Sequence, residues 1–165
     1  MRSMETDYLV VGAGAMGMAF ADALIDHADV HVTLVDRRHA PAGHWHDAYP
    51  FVRLHQASLF YGVASTVLGT GAVQAQGPEA GLHERAGVAE ICAYYDDILH
   101  RRFLPSGKAT FLSASNHRSD GTTHVVTITL EGAKPGTWSA DVDVCGAGID
   151  FATVVPSVEV KPAAP

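Results

Sequence analysis

Six residues near the start of the chain, Gly12-Ala13-Gly14-Ala15-Met16-Gly17, have the types and spacing that hold a pyrophosphate. The first glycine permits a tight turn out of a strand. The second has no Cβ, so a phosphate can approach the backbone. The third lets a helix pack close to a sheet. The helix that opens near Ala15 then directs free N–H groups and its positive dipole end at the phosphates. A carboxylate, Asp36, stands roughly 20 residues beyond the glycines, where it accepts hydrogen bonds from an adenosine ribose. Arg37 and Arg38 follow it and soften its preference for ribose hydroxyls over a 2′-phosphate.

These groups need a strand, a turn, a helix and a second strand to bring them together. The apolar run Tyr8-Leu9-Val10-Val11 supplies the first strand. In the predicted helix, Met16, Phe20, Ala23, Leu24 and His27 recur at helical spacing, with Asp22 and Asp26 on another face. Val30-His31-Val32-Thr33-Leu34-Val35 is the second strand and ends at Asp36. From Asp7 to Asp36 the chain has the length of one βαβ crossover, roughly 30 residues.

A chain of 165 residues with 47% hydrophobic and 18% charged residues fits a single globular domain with a real core. The net charge of −7, with no basic cluster larger than a pair, argues against nucleic acid as a partner. No segment has the apolar length of a membrane span, and the N-terminal apolar run reads as strand and helix rather than as a leader. Cys92 and Cys145 make neither a disulfide framework nor a metal spacing, so a reducing cytoplasm is the expected setting. Oligomeric state is not legible.

Residues 37–80 are irregular, punctuated by glycine and proline and rich in aromatic and polar groups. A loop of this length is often functional, and a large flat ligand could lie against groups such as Trp45 and His55. The same side chains also suit a loop that simply covers the sheet. His44 and His46, with His55 further on, invite a metal reading, but no carboxylate or thiolate joins them at ligand spacing, and no metal is expected.

From Val88, a helix is predicted by Ile91, Cys92, Tyr95, Ile98, Leu99 and Arg102, with Glu90 near its start and His100, Arg101 and Arg102 near its end. Tyr94 and Tyr95 read as packing rather than catalysis. Pro105 and Gly107 end the helix. Ala109 to Ser113 is the expected third parallel strand. A polar turn over 116–123 follows, then strands over 124–130, 137–140 and 141–145. Residues 1–150 are therefore expected to form a Rossmann-like α/β domain with a parallel sheet and a β-meander. Residues 151–165 form an extended, proline-containing tail with no periodic element.

The chain resembles the N-terminal FAD-binding part of the flavin-containing monooxygenases and related FAD-NAD(P)H oxidoreductases. The resemblance rests on the fingerprint Gly12 to Gly17 with Asp36 near the N-terminus. It rests also on Ala42-Gly43-His44-Trp45, similar to a G-G-x-W segment with Ala42 for the first glycine. A helix, strand and meander follow, and Val144-Cys145-Gly146-Ala147-Gly148 is similar to the strand and turn that end the meander. The resemblance implies a three-layer FAD/NAD(P)-binding fold. It implies FAD held by Gly12, Ala13, Gly14, Ala15, Met16, Gly17, Asp36 and Arg37, with Trp45, His55 and Gly146 as further contacts. A second glycine fingerprint for NADPH is absent from the sequence, and Gly148-Ile149-Asp150 lacks the flanking pattern of the family's C-terminal segment. The chain thus resembles roughly the first third of such an enzyme, a truncated or reduced relative.

The leading reading is an FAD-binding module of a flavin-dependent oxidoreductase, with no acid, base or nucleophile assigned. An NAD-binding dehydrogenase domain is the alternative, although the meander tells against a second βαβ unit. A non-catalytic adenine-dinucleotide-binding protein is the third.

Overall fold

The strand–turn–helix opening forms where its residues require it. The computed structural model describes residues 2–119, 123–129, 137–143 and 157–162, with side chains described over 6–117. After a short strand β1 (Arg2–Glu5), the chain enters β2 (Tyr8–Val11), α1 (Ala15–His27) and β3 (Val32–Val35). All four β3 residues are buried, as the central strand of a parallel sheet requires.

A long excursion follows. It holds 3-10 helices at Gly43–Asp47 and Ser58–Phe60 and a two-strand hairpin, β4 (Gly62–Val63) with β5 (Thr66–Val67). The segment read as irregular is thus ordered by short elements. Helix α2 (Val88–Ile98) runs into a π-turn, Leu99–Phe103, and a 3-10 turn, Leu104–Ser106, that Gly107 closes at φ 70°. Strand β6 (Ala109–Leu112) then returns parallel to β3.

The register fixes the rim of this sheet. Val11 pairs with Val35 and Val35 with Leu112, so the carboxyl ends of β2, β3 and β6 stand in line. Gly12 and Asp36, each one residue further, share that edge, where ligands bind in open α/β sheets. A second, antiparallel sheet has the order β1-β10-β9-β8-β7, built from β7 (Ser115–Ser119), β8 (Thr123–Thr129), β9 (Thr137–Asp143) and β10 (Ser157–Pro162). The meander is therefore present as β7 to β9.

Three local expectations are corrected. The turn expected over 116–123 gives way to β7 through Ser119, because Asn116, His117 and Arg118 find partners on β8. The tail contains β10, paired with β9 and β1. The buried stripe of α1 is Met18, Ala21, Asp22 and Ile25, while Met16 is 83% exposed. The helix is rotated so that Asp22, expected on the polar face, lies in the buried stripe. Asp22 lies inside because Ser65 and Arg102 satisfy it: its carboxylate accepts from Ser65 N–H (3.0 Å), Ser65 Oγ (2.6 Å) and Arg102 Nε (2.8 Å). The stripe of α2 holds, with Ile91, Tyr95, Ile98 and Leu99 buried.

Candidate functional site

The fingerprint folds into a turn in which each glycine has a separate cause. Gly12 sits at φ 103°, a conformation open to glycine, and its N–H donates to Val35 O at 2.7 Å. A side chain on Gly17 would overlap the Gly12 carbonyl oxygen, so the helix can approach the turn only with glycine there. Gly14 is different. Its φ of −78° suits any residue, and a Cβ there would meet only Gly43 Cα, at 3.7 Å. Neither its φ nor a clash at the Cβ therefore requires glycine at 14, although a side chain there would lie against Gly43.

Gly14 is also the N-cap of α1. No side chain caps that end, and its first turn holds no acidic residue. Helix N-terminal amides need an acceptor. Here no side chain supplies one to the first turn, an arrangement that suits an anion.

The segment after β3 closes over the turn. Ala42 N–H donates to Ala13 O at 2.9 Å, and Gly43 packs so close that a Cβ on it would lie 2.9 Å from Gly14 Cα. Ala42 holds φ 90°, which costs an alanine roughly 1–2 kcal/mol. The first glycine of the motif it resembles would adopt this shape freely. The sequence suggested Ala42-Gly43 only by resemblance; the tertiary contact with Gly14 is a finding of the structure.

Asp36 lies at the end of β3 with both oxygens engaged. Oδ2 accepts from Ala13 N–H at 2.7 Å and Oδ1 from Arg38 N–H at 2.8 Å, and the residue is 5% exposed. Arg38 pairs with Asp47 and holds that carboxyl below its usual range through their hydrogen bond. Arg37 is exposed at the same rim. A cavity of about 350 Å³ opens here, lined by Gly12, Asp36, Arg37 and Arg38 and, from β7, by Ser115, Asn116 and His117. The three β7 residues carried no motif in the sequence.

The remaining expected residues divide. Ala13 and Ala15 stand in the turn and first helical turn; Met16 points outward. Trp45 is nearly buried, and its Nε1–H donates to Tyr61 Oη at 2.7 Å. His55 is exposed in the loop before the second 3-10 helix. Gly146 lies outside the described residues, as do Cys145, Gly148 and Asp150. His44 and His46 occupy the 3-10 helix Gly43–Asp47. His44 stacks on Trp45, and His46 Nε2 donates to Pro41 O at 2.5 Å, which leaves Nδ1 toward Cys92 Sγ at 3.9 Å. Burial raises the Cys92 thiol above its usual pKa. No group of three metal-ligating side chains occurs among the described residues.

Comparison with known proteins agrees with this geometry. Residues 10–70 match the family model of the NAD(P)-binding Rossmann-like domain. Uncharacterized proteins of Mycobacterium tuberculosis and Mycobacterium bovis are 48% identical over 134 residues, 77% of this chain and 25% of theirs. The chain thus spans about a quarter of the length of the curated relatives it matches. The flavin-containing monooxygenase of Stenotrophomonas maltophilia superposes with a TM-score of 0.53 at 17% identity, over 74% of this chain and 33% of that one. A variant of the same enzyme gives 0.52 at 16% identity over the same shares. In fold, the chain is a Rossmann-like α/β unit of the kind found in part of these flavin monooxygenases.

Proposed function

We propose that this chain binds FAD as the cofactor-holding module of a flavin-dependent oxidoreductase of the monooxygenase type. The observation that carries this is the N-terminus of α1 at Gly14, which no side chain caps, following Gly12 and Ala13, whose N–H is held by Asp36. Pyrophosphate would accept from the amides of the first helical turn, and the adenosine would enter the cavity beside Asp36 and Arg37. When bound, FAD would take hydride from a nicotinamide and pass electrons to oxygen or another acceptor. The chain's own task is to hold the cofactor. No acid, base or nucleophile is assigned to the described residues.

NAD is the competing ligand, since its adenosine and pyrophosphate fit the same groups. The antiparallel run β7 to β9 after β6 favours FAD, because a plain NAD domain continues with another βαβ unit. Calorimetric titration of the purified chain with FAD, NAD and NADP decides between them. Saturable FAD binding that is stronger than NAD binding supports the proposal. Binding of NAD alone, or of neither, overturns it.

The interaction is expected to be weak, with no NADPH oxidation above that of free flavin. Hydride transfer needs a nicotinamide held at near-attack distance, and the sequence carries a single glycine fingerprint. Tightly retained flavin with rapid NADPH oxidation would show that these residues contain a complete active site.

A further inference from the structure

Two arginines, Arg37 and Arg38, line the cavity beside Asp36. An arginine in this place ordinarily receives the 2′-phosphate of NADP. By residue order alone the pair therefore softens the preference for a free ribose that Asp36 sets. The tertiary structure commits one of the two elsewhere. Arg38 is anchored at both ends. Its main-chain N–H donates to Asp36 Oδ1 at 2.8 Å, and its guanidinium pairs with the Asp47 carboxylate. The Arg38 side chain is 20% exposed and that of Asp47 is 69% exposed, so the acid stands in solvent over an arginine held against the cavity.

Arg37 lies within the same field. The Asp47 carboxyl is held below its usual range by the Arg38 hydrogen bond first, then by the Arg38 charge, and further by the charge of Arg37. Folding does not call for this acid. An exposed ion pair contributes little to stability, and a carboxylate gains nothing at the C-terminal end of a helix, where Asp47 stands. Asp47 also ends the segment whose Gly43 packs against Gly14. One piece of chain thus closes over the phosphate turn and sets the charge at the ribose end.

We propose that Asp47 is a specificity-determining residue of this cleft: by occupying Arg38 it excludes adenosine that carries a 2′-phosphate and reserves the site for the free ribose of FAD or NAD. The inference rests on the dinucleotide reading above. Each Asp36 oxygen accepts one main-chain N–H, which leaves lone pairs for ribose hydroxyls. A 2′-phosphate has no hydroxyl to donate there. To reach Arg38 it must displace Asp47 or lie between two carboxylates. It therefore breaks a charge-assisted hydrogen bond or takes like-charged neighbours. NADP is turned away although two arginines stand at the site.

Calorimetry of the whole chain with ADP and with 2′,5′-ADP tests this, since the second ligand places a phosphate on the ribose 2′ oxygen. The unaltered chain should bind ADP about tenfold more tightly, the scale of one hydrogen bond to a charged group. Asp47→Asn keeps the side chain's size and removes its charge. It should leave ADP affinity within about twofold and raise 2′,5′-ADP affinity about tenfold, on the same scale. Asp47→Glu should keep the discrimination. The gain should vanish when Arg38→Gln is added to Asp47→Asn, and it should shrink as salt screens the exposed charges. Thermal melting checks that each variant is folded. Equal affinity of the unaltered chain for the two ligands, or an unchanged ratio in Asp47→Asn, overturns the role of Asp47 and leaves the dinucleotide reading standing. ADP that fails to bind overturns the inference together with the site it rests on, whatever FAD does.

Discussion

The Asp36 carboxylate accepts a 2.7 Å hydrogen bond from the Ala13 main-chain N–H, tying the end of β3 to the glycine turn. Its other oxygen holds the Arg38 N–H. Asp36 therefore shapes the turn before any ligand arrives, a role beyond the ribose contact that its position suggested. Asp36→Ala leaves a buried N–H without an acceptor. It should lower stability by about 2 kcal/mol, the scale of a hydrogen bond to a charged group, and weaken FAD binding as well. Urea unfolding and calorimetry on the same preparation check both. Unchanged stability with weakened binding would return Asp36 to a pure ligand contact.

Gly14→Val should do the reverse. Its φ suits any residue and a Cβ there makes only an ordinary contact with Gly43 Cα, so the fold should survive with modest loss of stability. The new side chain would occupy the pyrophosphate position, and affinity should disappear. A folded variant that still binds FAD would refute the phosphate-cradle assignment.

Gly17→Ala should damage the fold itself. A methyl at this position collides with the Gly12 carbonyl oxygen, a backbone atom that cannot rotate away. The loss should reach about 1–3 kcal/mol, as for overpacked interiors, and circular dichroism melting would measure it. An unchanged melting temperature would show that helix and turn are not in the contact described.

Acid should weaken the α1–hairpin junction. Burial raises the Asp22 pKa, but hydrogen bonds from Ser65 and Arg102 outweigh it and the net shift is downward. Asp22 thus binds its proton less readily when folded. Its contribution is fully present above the unfolded value near 3.9 and is lost as pH falls through the lower folded value. Arg102→Met should cost about 3 kcal/mol, the low end for breaking a buried pair, because Arg102 remains partly exposed. It should also flatten stability against pH below 4, roughly where carboxylates protonate. An equally steep acid limb in the variant would sink this assignment.

Tyr95→Phe should change stability by no more than about 1 kcal/mol, because the buried hydroxyl makes no close hydrogen bond and the ring packing is kept. A marked drop in the denaturant midpoint would mean that the hydroxyl has a partner in solution.

Local chemistry made much of this protein legible from residue order. Gly12 and Gly17 between an apolar run and a helix, with Asp36 at the next strand's end, specify a βαβ crossover because backbone geometry leaves few alternatives to those residue types. The stripe of α2 was legible for the same reason, since Ile91, Tyr95 and Ile98 alternate with charged neighbours. The buried face of α1 was not. Its two acidic residues, Asp22 and Asp26, suggested a polar side, but only its neighbours decide which side is covered. Asp22 went inside because Ser65 and Arg102, distant in sequence, arrive there to satisfy its charge. The same holds for Gly43 against Gly14 and for Ser115 to His117 on the cavity rim. Each is a meeting of separate segments, and its energy appears only when packing has brought both sides together.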